Sequence, residues 1–104
     1  MDVQLKRGFL DACVLKVLSN GESYGYQIVK DLADVLPISE STLYPILKRL
    51  EAGGCLQVRA TVHNGRLRKY YGITQVGLQR LADSVQGIGE LLPIVQFLTG
   101  GVST

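Results

Sequence analysis

From Ala52 to Ala82 the chain carries no carboxylate, while Arg59, Arg66, Arg68, Lys69 and Arg80 all fall within that stretch. Guanidinium and ammonium groups crowded without counter-charge have the chemistry of a phosphate-holding surface. A second group lies just upstream, where Ser39, Ser41, Thr42, Tyr44, Lys48 and Arg49 crowd around a Pro45. Hydroxyls and cations near a helix N-terminus suit phosphate and base-edge contacts, and the helix dipole assists them. Taken singly, each group reads equally well as a solvated face. Their succession along one short stretch points to a polyanion.

Other chemistries are poorly served. His63 is the one histidine, and Cys13 and Cys55 are far apart without a C-x-x-C pair. A structural zinc usually takes four such ligands, so no metal site and no cofactor is expected. The cysteines read as small core thiols, with redox sensing as the alternative. Scattered acids and the absence of a phosphate-binding glycine loop leave no nucleophile, base and orienting group to assemble, so an enzyme is not expected. The 104 residues make one domain's worth of chain, with 46% apolar and 19% charged residues, enough to bury a core. A formal net charge of +2 says less than its distribution does. No run approaches the ~18 apolar residues of a membrane span. The start, Met1 to Arg7, leads into Gly, Asp and Lys rather than an apolar secretory core. The expected location is cytoplasmic, away from the membrane.

These groups need elements to position them. Leu10, Val14, Leu15, Val17 and Leu18 recur at helical spacing and stop at Ser19-Asn20-Gly21, predicting a helix from about Arg7 to Leu18. Ser23 can cap a second helix carrying Ile28, Val29, Leu32, Val35 and Leu36, with Pro37 ending it. A third helix opens in Ser39-Glu40-Ser41-Thr42, carries Leu43, Ile46, Leu47 and Leu50 as one stripe, and closes at Gly53-Gly54. Pro45 lacks a backbone donor, so local chemistry starts this helix near Thr42, after a tighter turn from Ser39.

The period then drops to two, and Asn64-Gly65 marks a type I′ hairpin. A two-residue loop fixes the register. Leu56 then opposes Ile73, Val58 opposes Tyr71 and Val62 opposes Leu67 on an apolar face. Arg59 opposes Tyr70, Thr61 opposes Arg68 and His63 opposes Arg66 on a basic one. Tyr71 is thereby a core residue and Tyr70 the more exposed. Thr74 can cap a last helix in which Leu78, Leu81, Val85, Ile88, Leu92 and Val95 step by threes and fours, the seam of packed helices. Gly87, Gly89 and Pro93 weaken it, and a kink or break is expected near Pro93. The tail from Gly100 to Thr104 reads as frayed.

The fold class is therefore α+β, mainly α: a winged helix-turn-helix of three helices and a two-stranded wing, with a C-terminal dimerisation helix. Residues 1–73 form the expected DNA-binding domain, and 74–104 the dimerisation helix and tail. The segments Tyr24-Gly25-Tyr26-Gln27-Ile28, Thr42-Leu43-Tyr44-Pro45 and Arg68-Lys69-Tyr70-Tyr71, in this order between Gly8 and Leu81, resemble the PadR family of transcriptional regulators. Its compact branch has a single C-terminal helix. The resemblance implies a dimeric regulator, usually a repressor, that binds double-stranded DNA and often responds to a small aromatic effector.

By that resemblance the third helix enters the major groove through Ser41, Thr42, Tyr44, Lys48 and Arg49, with Ser39 at its start. Tyr24 and Gln27 match a helix lying along the phosphate backbone. His63, Asn64, Gly65, Arg66 and Arg68 match the wing. Pro45 matches a Tyr-Pro step inside the recognition helix, implying a longer helix with a local defect. The C-terminal helix departs from the family, with no Trp, a late Phe97 and interruptions at Gly87, Gly89 and Pro93. Two functions follow: sequence-specific DNA binding by a homodimer on an inverted repeat, or a winged helix used for protein–protein contact. The second would not need Lys48-Arg49 beside Arg66, Arg68 and Lys69.

Overall fold

The computed structural model describes residues 3–101, with side chains from residue 6 onward. Its elements run α1 (Val3–Leu18), α2 (Gly25–Leu32), α3 (Glu40–Ala52), β1 (Leu56–His63), β2 (Arg66–Ile73), α4 (Gln75–Gly89) and α5 (Leu92–Leu98). Helical spacing puts Val14, Leu15 and Leu18 of α1 against Ile28 and Leu32 of α2 and the α3 stripe Leu43, Ile46, Leu47 and Leu50. Cys55, Leu56 and Tyr71 close this core from the hairpin base. The result is a winged helix-turn-helix.

The ends of the helices depart from the sequence reading in informative ways. α1 starts at Val3, earlier than Arg7. α2 stops at Leu32, short of the expected limit at Pro37. Val35, expected on the helix, is 78% exposed, and the Leu36 N–H turns back to the Leu32 carbonyl at 2.7 Å. Ser23 does not cap α2, whose N-cap is Tyr24 without a side-chain bond. Instead the Ser23 backbone pairs with Tyr71 in both directions, at 3.0 and 2.7 Å. That bridge lays a third strand, one residue long, along the outer edge of β2. Two backbone bonds to an open sheet edge outweigh one hydroxyl cap.

α3 begins at Glu40, not near Thr42, with Ser39 as N-cap accepting from the Thr42 N–H at 3.2 Å. Pro45 lies inside it, as the family resemblance implied. The proline deprives the Ser41 carbonyl of its helical donor at an exposed position, where water can replace it. The C-terminus closes in a Schellman motif: Cys55 N–H reaches Leu50 O at 2.9 Å and Gly54 N–H reaches Glu51 O at 3.0 Å. Gly54 takes the left-handed φ of 78° that this requires.

The hairpin pairs in the predicted register, from Leu56 with Ile73 to His63 with Arg66. Asn64 and Gly65 both have positive φ, 51° and 76°, as a type I′ turn demands. Thr74 then ties the hairpin base to the α3 terminus. Its N–H donates to Cys55 O at 3.0 Å, and its hydroxyl donates to Gly54 O at 2.7 Å while accepting from Gly77 N–H at 3.1 Å. Gly77 is buried at this junction. A methyl group there would overlap the Cys55 carbonyl and lie 2.7 Å from Ile73 Cγ1.

The last helix is divided, α4 packing against α1 and β2 while every α5 residue is exposed. Glu90 and Leu91 at the break keep right-handed helical angles. The bonding slips there, the Leu91 N–H reaching Ile88 O at 3.0 Å. Pro93 near the start of α5 has no donor for Gly89 O. The path therefore bends without reversing, and the molecule extends 56 Å along its long axis against 25 and 23 Å across. Of the tail expected to fray, residues 102–104 lie outside the described residues. No described helix is long and apolar enough to cross a membrane.

Gly77→Ala is expected to destabilise the fold by about 1–3 kcal/mol, the usual cost of overpacking. Gly87→Ala, in open space on α4, should instead stabilise by about 0.5–1 kcal/mol. Urea unfolding monitored by circular dichroism distinguishes the two.

Candidate nucleic-acid interface

Burial of the α3 stripe turns Ser39, Ser41, Thr42, Tyr44 and Lys48 to the surface. The hydroxyls at the helix start are already organised. Ser39 Oγ lies 2.9 Å from Ser41 Oγ and donates to Thr42 Oγ1 at 3.2 Å. Tyr44 Oη donates to Glu40 Oε1 at 3.2 Å. Desolvation, and secondarily the Glu40 carboxylate, pushes the Tyr44 phenol above its ordinary pKa. The Tyr44 side chain lies against Gly25, where an added methyl would come within 2.7 Å of Tyr44 Oη. Glycine at this position thus seats α3 against the start of α2.

A cleft of about 760 Å³ opens between these helix starts and the wing. Tyr24, Tyr26, Glu40 and Tyr44 line one side, and His63, Asn64, Arg66, Leu67, Arg68 and Lys69 the other. The register explains how Lys69 reaches it. Lys69 pairs with Ala60, so it shares the face of Leu67 and Tyr71, and the face expected to be apolar carries a cation. Its outer pair, Val62 and Leu67, is also uncovered, at 71% and 70% exposure. On this face full burial ends with Leu56 and Tyr71 at the hairpin base, with Val58 half-buried beside them.

Two carboxylates withdraw arginines from this surface. Arg49, expected to face outward, instead donates through Nη2 to Asp11 Oδ1 of α1. Asp11 is buried and needs a counter-charge there. The Arg49 Nε is itself buried without a hydrogen-bond partner. Arg59 is bound by Glu22, its Nε 3.0 Å from both carboxylate oxygens. The Arg59 guanidinium holds Glu22 below the usual carboxylate range. Arg80, counted in the basic stretch, sits at the core junction with Nη1 3.6 Å from Cys55 Sγ. Among the described residues the ion pairs are these two, Arg49–Asp11 and Arg59–Glu22. Lys48, Arg66, Arg68 and Lys69 therefore carry no described acid partner.

The remaining sequence-predicted residues fall as follows. Tyr24 is half-buried beside the wing, and Gln27 donates to Asp31 Oδ1 at 2.9 Å, one turn along α2. Tyr26, 57% exposed, has Lys30 Nζ 5.5 Å from its ring centroid. Glu40 was not singled out as a site residue; its place in the interface follows from α3 starting earlier than local propensity indicates. In the C-terminal seam, Leu81 packs on the core, and Ile88 is half-buried. Leu78, Val85, Leu92 and Val95 are exposed, and so are Ile94, Phe97 and Leu98 of α5, which the heptad reading omitted. Cys55 is fully buried and Cys13 half-buried. Burial raises the Cys13 thiol pKa. No described group of three or more His, Cys, Asp or Glu side chains could hold a metal ion.

Asp11→Ala is expected to cost about 1–3 kcal/mol by leaving the Arg49 charge half-buried and unpaired. The cost should fall when Arg49→Met is already present, and a double-mutant cycle in urea reads that coupling.

The sequence matches the Transcriptional regulator PadR-like family over residues 14–83. Transcriptional regulator Rv3488 of Mycobacterium tuberculosis is 30% identical over 89 residues, covering 85% of this chain and 83% of that protein. The crystal structure of a PadR family transcriptional regulator from Eggerthella lenta superposes with a TM-score of 0.77 at 38% identity, covering 93% of this chain and 87% of that one. Bacillus subtilis PadR, crystallised in complex with operator DNA, superposes with a TM-score of 0.69 at 29% identity. That match covers 74% of this chain and 46% of the Bacillus chain.

Proposed function

The chain belongs to the PadR-like family of transcriptional regulators, and from that premise we propose that it binds a specific DNA operator as a homodimer and represses transcription. The observation that carries this reading is the cleft, where Arg66, Arg68 and Lys69 lie without described acid partners opposite the start of α3, whose exposed Lys48 is likewise unpaired. A duplex running along it would meet the α3 start in its major groove, through Ser39, Ser41, Thr42 and Tyr44. The wing residues His63, Asn64, Gly65, Arg66 and Arg68 would follow the flanking backbone or minor groove. Tyr24 and Gln27 at the start of α2 would lie near phosphate. Arg49 is left out of this set because Asp11 engages it. The operator complex of Bacillus subtilis PadR supports the reading.

Pairing falls to the C-terminal segment 74–104, with residues 1–73 carrying DNA binding. An arm exposing Leu92, Ile94, Val95, Phe97 and Leu98 presents an apolar patch of the kind that marks an interface. A second copy would cover it, joined by Leu78, Val85 and Ile88, and Leu81 would buttress the seam from the core side. Two recognition helices related by a dyad call for an inverted repeat with half-sites about 34 Å apart, or a multiple. Such a regulator acts in the cytoplasm, in reach of the chromosome. A small aromatic effector is the ligand class the family resemblance offers for release from DNA.

Genomic fragments selected on the protein and footprinted at low salt should show protected inverted repeats. No protected site would overturn DNA readout and favour a protein-contact module. Lys48→Met should lower the slope of log affinity against log salt by about 0.9, the counterions of one phosphate contact. Leu92→Asp with Val95→Asp should convert the sedimenting species from dimer to monomer without loss of helicity.

A further inference from the structure

The outer face of the wing holds a ladder of five side chains that runs off the cleft. Antiparallel pairing of Ser23 with Tyr71 places Tyr24 beside Tyr70, which faces Arg59 across the hairpin. Tyr24 and Tyr70 meet edge to face, with centroids 5.6 Å apart and planes at 69°. Arg59 lies over the Tyr70 ring at 4.6 Å and is held from its other end by Glu22. Gly72, next in the row, has no side chain to block the diagonal from Glu22 to Arg59; a methyl there would already touch Glu22 Cβ at 3.8 Å. Arg68 stacks on Tyr24 at 4.0 Å, with Nη1 donating to Tyr70 Oη at 3.4 Å.

The two arginines end in opposite conditions. Arg59 is neutralised by a carboxylate. Arg68 is held over the Tyr24 ring with Nη1 on Tyr70 Oη, which leaves its remaining N–H donors to meet a phosphate. We propose that Arg68 is a phosphate-contacting residue of the wing, and that Tyr24 and Tyr70, braced by the Glu22–Arg59 pair, are positioning residues that hold its guanidinium ready before DNA arrives. This rests on the DNA-binding reading above. Pre-organisation of this kind spares the ordering that a free arginine would undergo on binding. It also makes Arg59, one of the three arginines on that face, silent toward DNA.

The test uses the full chain and a mixed-sequence DNA duplex two helical turns long, with affinity measured against salt. Arg68→Met should lower the slope of log affinity against log salt by about 0.9. Replacing Glu22 and Arg59 together by Gln and Met should leave that slope unchanged. Tyr24→Leu should weaken binding about two- to fivefold, the size of an exposed cation–π contact, but have no further effect in the Arg68→Met background. Tyr70→Phe, which keeps the ring and removes only the hydroxyl that Arg68 donates to, should weaken binding less than Tyr24→Leu does, and a circular-dichroism melt of each variant controls for folding. In the DNA-free protein, the Arg68 δ-methylene protons should show an upfield ring-current shift that Tyr24→Leu abolishes. Additive losses from Tyr24→Leu and Arg68→Met would overturn the proposal, since Tyr24 would then touch DNA itself. An unchanged slope for Arg68→Met, or no loss with Tyr24→Leu, would overturn it as well. Failure of the parent protein to bind the duplex would overturn the DNA-binding reading instead.

Discussion

Leu43, Ile46, Leu47 and Leu50 occupy one side of a 13-residue helix and are buried almost completely against α1 and α2. Each such side chain contributes roughly 1.5–3 kcal/mol on burial, so rotating α3 about its axis would forfeit a large part of the core. The fixed rotation leaves Ser41, Thr42, Tyr44 and Lys48 on the exposed side of the helix. Everything downstream hangs from the end of this helix. The Schellman closure delivers Cys55, and Thr74 bonds to both Cys55 and Gly54. The wing and α4 therefore inherit their placement from α3.

Electrostatics then decides which cations on this frame are free to act. Counting charges along the sequence overstates the basic surface, because Asp11 and Glu22 each engage an arginine from another element and Arg80 turns to the Cys55 thiol. What remains is narrower: Lys48 on α3, and Arg66, Arg68 and Lys69 on β2. The three wing cations line one side of the cleft and Lys48 is exposed on the helix opposite, a spread that suits an extended polyanion better than a single bound anion. Exposed apolar side chains are most concentrated on α5, where Leu92, Ile94, Val95, Phe97 and Leu98 are all uncovered. The basic cleft and the apolar α5 arm are thus built from different elements.

The hairpin register was legible because Asn64-Gly65 admits one turn type and the period-two pattern then has no freedom. The α3 stripe and the Thr74 cap were legible for the same reason, since both are local. What was not legible depends on partners distant in sequence. The Asp11–Arg49 pair joins residues 38 positions apart, and nothing near Arg49 announces it. The Ser23–Tyr71 bridge replaced a plausible cap because a sheet edge happened to lie alongside. α2 ends early because Val35 finds no core to enter. The seam was read through to Val95 with a kink or break expected near Pro93; the break falls at Glu90-Leu91, and Ile94 and Phe97, outside the heptad pattern, are exposed on α5 as well.

The most direct test of the account is an amide chemical-shift titration of the isotopically labelled protein with a DNA duplex recovered from its own genome. The largest shifts are expected in residues 39–48 and 63–69, with residues 92–98, proposed for pairing rather than DNA, unmoved. Shifts confined to α4 and α5, or absent from the α3 start, would contradict the account.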